Sequence, residues 1–165
     1  MEQSMIELFF RFCMYVALGF TLEIIFAVTG IEKALGFTLS NKRVPKKYLE
    51  GFVSLYMIPI HGFGMLFGFE PIARAIGDFN IFVRYLAFCV LISATEAFTG
   101  FIYDKLTGFY SWDYYADSKY RVFKRGYTLW TLVPLWGIAG LVMEVYSGLL
   151  IHVSPAAAAY LKTIF

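Results

Sequence analysis

Charge is scarce in this chain. Only 16% of its residues are charged, against about 25% in an ordinary soluble domain. Cys13 and Cys89 are the only cysteines. Both fall inside apolar runs, so no disulfide framework is implied. His61 and His152 are the only histidines, and no cluster has the spacing of a zinc, iron–sulfur or nucleophile motif. Neither a metal nor a cofactor is therefore expected. No glycine-rich nucleotide-binding motif is present, which excludes an ATPase within the chain itself. A net charge of +2 is too small to point to nucleic acid.

What is present is apolar. The chain is 59% hydrophobic and 20% aromatic, with a mean hydropathy of +0.65. Its apolar runs are long enough to cross a hydrocarbon core of about 30 Å, which takes about 20 helical residues. Four spans are expected near Met5–Thr29, Gly51–Phe69, Ile81–Tyr103 and Tyr127–Val153. This predicts an all-α polytopic membrane protein built as a single four-helix domain over 1–165. The first run is of span length and keeps an embedded glutamate, so it reads as a retained helix and not a cleaved signal.

The basic residues set an orientation. Lys33, Lys42, Arg43, Lys46 and Lys47 follow the first span, and Lys105, Lys119, Arg121, Lys124 and Arg125 follow the third. Only Arg11, Arg74, Arg84 and Lys162 lie elsewhere. The positive-inside rule places both rich loops in the cytoplasm and both termini outside an inner membrane.

The halves, about 5–69 and 81–153, echo one another. Pro59-Ile60-His61-Gly62-Phe63 matches Pro134-Leu135-Trp136-Gly137-Ile138, and Glu23 and Glu96 each precede a Lys-x-x-Gly-Phe. The expected architecture is two helix-hairpin pseudo-repeats related by an axis along the membrane normal. Each proline is expected to interrupt its span and free the carbonyl four residues earlier, at Leu55 and Trp130. Apolar similarity alone would also produce some of this pattern.

Three spans carry a glutamate inside the apolar run (Glu23, Glu96 and Glu144), and a fourth carries His61. An ionisable group at bilayer depth is costly unless it meets a partner, a cavity or water, so each is a functional hypothesis. At 1.5 Å per residue, Glu23 and Glu96 fall on the cytoplasmic side of the midplane, His61 near the middle, and Glu144 in the outer half with Arg11 and Arg84. An ion pair is the plain reading for Glu144. Glu23 and Glu96 have no basic residue at their depth. They are expected to face the bundle interior as proton or cation ligands, or to be held by hydroxyls such as Thr99. A lone His61 is as readily a satisfied polar ring as a ligand.

The segment 109–125 mixes aromatics with bases. It reads as an interfacial anchor, or as a cap in which Trp112, Asp113 and Tyr114 fold over the cytoplasmic mouth. Ser154-Pro155 is expected to open a separate, short interfacial helix.

Several of these stretches together resemble the transmembrane protein 229 family and its bacterial counterparts, described as putative type IV ABC-transporter proteins. They are Ser54-Leu-Tyr-Met-Ile-Pro-Ile-His-Gly62, Phe69-Glu-Pro71, Glu96-Ala-Phe-Thr-Gly100, Trp112-Asp-Tyr114 and Gly140-Leu-Val-Met-Glu144. His61 departs from the tyrosine expected in the family's Pro-x-Tyr-Gly. The resemblance implies a four-helix polytopic protein and supplies no mechanism.

Three functions are compatible with these residues. The first is a permease-like or ligand-binding module with Glu23, His61 and Glu96 between helices. The second is a non-catalytic subunit of a larger membrane complex. The third is an acid–base enzyme acting on a lipid or isoprenoid, with Trp112-Asp113-Tyr114 at the headgroup. Membrane lipids and a second copy or partner subunit are the expected partners.

Overall fold

The computed structural model describes residues 4–36 and 53–164. Lys42, Arg43, Lys46, Lys47 and the expected span start at Gly51 lie outside the described residues.

Helix α1 spans Met5–Thr29 and opens on a capping box, with Ser4 accepting from the Glu7 amide and Glu7 accepting from the Ser4 amide. Such reciprocal bonds satisfy two of the amides a helix start leaves free. It ends on Gly30 at φ 78°, followed by the short α2 (Glu32–Leu35). The second rod is continuous but not uniform. Helix α3 (Met57–Pro59) passes into a π-helical stretch, Ile60–Phe69, and then into α4 (Glu70–Ile76). Helix α5 spans Ile81–Thr107, capped by Asn80 on the Val83 amide, and α6 spans Val133–Ile164.

Helices make up most of the described residues; the connection 108–132 holds only the short 3-10 helix Asp113–Asp117 and one isolated bridge, Arg121 to Leu129. Three helices, α1, α5 and α6, are long and apolar enough to cross a membrane.

Three sequence expectations need correction. The fourth helix starts at Val133, not Tyr127, because residues 127–132 fold into the cap described below. It also does not break at Ser154-Pro155. Pro155 cannot donate to the Ile151 carbonyl, and the Ser154 hydroxyl does so instead at 3.3 Å, so α6 runs on to Ile164. Nor do Pro59 and Pro134 interrupt helices. They are the third residue of α3 and the second of α6, first-turn positions where the missing N–H has no intrahelical partner to lose. The Leu55 and Trp130 carbonyls accept from the Ile58 and Val133 amides.

Glycines set the helix contacts. A Cβ on Gly62 would enter the Phe12 ring, one on Gly137 the Tyr85 ring and Cys89, and one on Gly140 the Phe88 side chain. Close backbone approach of this kind supplies packing where lipid removes the hydrophobic drive between helices.

The end of the bundle carrying the α1 and α5 C-termini is closed by residues 108–132. Tyr110, Trp112, Tyr115, Tyr127, Leu129 and Leu132 form a buried cluster with Leu35, packed against Phe26, Met57, Ile60, Ala97 and Trp136. The segment is thus a folded cap that touches every long element. Trp112 is buried and donates to the Tyr127 carbonyl at 2.9 Å. Gly126 turns the returning segment at φ 74°, and a Cβ there would run into the Tyr115–Ala116 backbone.

Candidate functional site

The α1 acid meets the π-helical stretch. His61 Nε2 lies 2.7 Å from Glu23 Oε1, with both side chains about three-quarters buried. The ring can sit there because Gly19, one turn before Glu23, has no side chain. A Cβ on Gly19 would lie 2.6 Å from His61 Nδ1 and closer still to its carbons.

The α5 acid meets α6 and the cap. Trp136 Nε1 donates to Glu96 Oε2 at 3.0 Å, and the Thr128 hydroxyl donates to the same oxygen. Both donors thus fall on Oε2. Glu96 lies eleven residues before the end of α5, about 16 Å at 1.5 Å per residue. The returning segment of the cap therefore reaches well into the bundle to place Thr128 there. Thr99, expected among the hydroxyl partners, is half-buried and takes no part in these bonds.

The cap also buries a phenol. Tyr115 is 5% exposed, and its pKa stands well above the ordinary value. Burial is the main cause, followed by the negative charges of Glu96, Tyr114, Glu23 and Tyr110. Tyr114 packs edge-on against Tyr115 at 5.0 Å, whereas Asp113 is exposed beside Asp104 and Arg125.

Arg84 Nη1 donates to both oxygens of Glu144 at 2.8 Å. Arg11 does not join them. It pairs with Glu70 at 3.0 Å inside a network that sequence reasoning missed. Tyr15 donates within 2.8 Å of Glu70 and lies 2.9 Å from the Ser147 hydroxyl, and Arg11 donates to Ser154 at 3.3 Å. All five side chains are buried. The available signal was spacing: Arg11 and Tyr15 are four apart on α1, and Ser147 and Ser154 two turns apart on α6. His152 is exposed. Among the described residues no three His, Cys, Asp or Glu side chains gather as a metal site.

The contacts also recur along the chain. Arg11, Phe12 and Glu23 lie 73 positions before Arg84, Tyr85 and Glu96. Their partners His61 and Gly62 lie 75 positions before Trp136 and Gly137, while Glu70 lies 74 before Glu144. The offset falls by one across Ile60–Phe69, the π-helical stretch. A π-helix, bonded i to i+5, fits more residues into each turn, which absorbs one extra residue between Gly62 and Glu70.

Residues 10–163 match the family described as "Putative ABC-transporter type IV". The chain belongs to that family. It is a transporter-related membrane protein. No curated protein and no solved structure matches the chain significantly.

Proposed function

We propose that this family member is a permease-like module that handles protons or small cations at two related acid sites beneath the cap. The observation that carries the reading is that each intramembrane acid is held by a polar partner at the matching place of its hairpin, Glu23 by His61 and Glu96 by Trp136 and Thr128. Among the described residues Glu23 is bonded through Oε1 and Glu96 through Oε2, and the reading gives the second oxygen of each to a proton or ligand. Carboxyls placed at bilayer depth are the groups that proton relays use.

The three recurring contact pairs support a pseudo-repeat of two hairpins, with α3–α4 serving as a fourth span. Lys33 and the basic residues of 105–125 at the cap end support a cytoplasmic cap and external termini in an inner membrane. The likeness to the transmembrane protein 229 family belongs to the same reading.

The test is proton entry into liposomes containing the purified chain and a trapped pH dye, driven by a potassium potential. Wild type should exceed empty liposomes, and Glu96→Gln and Glu23→Gln should fall to the empty level. Equal rates in wild type and empty liposomes would overturn the reading. The two described cavities lie at the cap and on the α5 flank and not between the helices, which favours a second reading, a subunit completed by another copy or an unlike partner. Inactivity together with co-purification of an unlike membrane protein would select it.

A further inference from the structure

The outer side of the cap holds a second polar site, built from different residues. Arg125 grips Asp104 through Nε at 3.0 Å and through Nη2. Tyr127 donates to the same carboxylate at 2.7 Å, and Tyr110 donates to the Arg125 carbonyl. These bonds hold the guanidinium in place through Nε and Nη2, and the side chain is 61% exposed. Opposite it, the exposed Asp113 lines the same cavity, with Phe109 and Tyr110 forming aromatic wall. The cavity measures about 210 Å³, the space of about seven waters at ~30 Å³ each.

Helix α5 has 27 residues, about 40 Å, and so overhangs a hydrocarbon core of about 30 Å when centred in it. The last turn, with Asp104, therefore projects into the headgroup layer.

We propose that this cavity binds a phosphoethanolamine group, the zwitterionic headgroup of an aminophospholipid, with its ammonium on Asp113 and its phosphate on Arg125. A purely anionic ligand would face Asp113 and Asp104 together. Arg125 is already shared with Asp104, so the ammonium on Asp113 makes the leading contact and the phosphate takes the outer edge of the guanidinium. A zwitterion satisfies both. The aromatic wall adds cation–π attraction for the ammonium. Tyr110 reports the negative potential on the Asp113 side, since its hydroxyl is held above the ordinary range by burial first and by Asp113 next. A primary ammonium can donate to Asp113, whereas a quaternary choline head has no N–H to offer.

The test is native mass spectrometry of the full chain with equimolar phosphatidylethanolamine, phosphatidylcholine and phosphatidylglycerol. Phosphatidylethanolamine should be retained about fivefold over the other two, the scale of an exposed ion pair. Asp113→Asn should level the three, and Asp113→Lys should turn the preference to phosphatidylglycerol. Free O-phosphoethanolamine that displaces the lipid shows that the headgroup alone is recognised. Failure to displace it, with the preference intact, assigns the site to the membrane lipid. Equal retention by wild type, a wild-type preference for phosphatidylglycerol, or a preference unchanged in Asp113→Asn overturns the proposal.

Discussion

Replacing Gly19 by alanine separates the Glu23–His61 contact from ordinary helix stability. Alanine in a helix interior is favoured over glycine by about 1 kcal/mol, so propensity alone predicts a more stable protein. The structure predicts the opposite. The new Cβ would lie 2.6 Å from His61 Nδ1 and closer still to its carbons, and ordinary contact begins at 3.4 Å, so the ring must retreat by about 1 Å or more in a packed interface. Overpacking of this kind costs about 1–3 kcal/mol. A retreat that breaks the 2.7 Å contact to Glu23 adds the loss of a hydrogen bond to a charged group, about 1.5–3 kcal/mol. Set against the propensity gain, the expected loss is about 1.5–5 kcal/mol. The control is Gly148→Ala on α6, where a Cβ meets nothing within 4 Å, and which should gain about 1 kcal/mol. Steric-trap unfolding in bicelles measures both. Equal behaviour of the two variants would refute the packing of His61 on Gly19.

Three further outcomes follow from the described contacts. Gly126→Ala places a side chain at φ 74° against the Tyr115–Ala116 backbone; it should cost about 2–4 kcal/mol through strain and overpacking together, read as loss of near-ultraviolet circular dichroism from the aromatic cap. Glu70→Ala removes the carboxylate beside the buried Arg11 and should cost about 3–5 kcal/mol, read in unfolding assays; a loss below about 1 kcal/mol would contradict the burial of that pair. Tyr115 holds its proton more tightly in the folded cap than in the unfolded chain, where the ordinary value is 10.0. Its contribution is therefore full below pH 10 and declines as pH rises beyond it, so the cap should loosen above about pH 10, seen as delayed, cooperative tyrosinate absorbance. Ionisation at the ordinary value with no loss of structure would contradict the burial of that phenol.

The long helices were legible in the sequence because their signal is gross. Met5–Thr29 appears with the expected bounds and Ile81 opens α5 as read. Prolines misled because the same residue that breaks a helix interior is welcome in a first turn, and only the local start at Met57 and Val133 distinguishes the two. Pro155 misled for another reason. A hydroxyl one residue earlier bonds the carbonyl the proline leaves unmatched, and apolar patterning carries no trace of that bond. The cap was legible as a composition but not as a fold. Its aromatics fit an interfacial anchor equally well, and only the long-range Trp112, Thr128 and Trp136 contacts distinguish the two. Arg11 was assigned to Glu144 on depth alone. Depth along a helix says nothing of its azimuth, and the faces of α1 and α5 give Arg11 to Glu70 and Arg84 to Glu144.

The central claim is that the acid beneath the cap exchanges a proton or ligand and is not merely a structural tie. Trp136 reports on it directly, because its indole N–H donates to Glu96. The chain has three tryptophans, so fluorine labelling of the indoles gives three assignable resonances. In a pH titration of the labelled protein in lipid nanodiscs, the account predicts that the Trp136 resonance moves. It should stand still in Glu96→Gln, which keeps the hydrogen-bonding shape and loses the charge. A Trp136 resonance that is flat across the titration in the wild type, or that moves equally in Glu96→Gln, would contradict it.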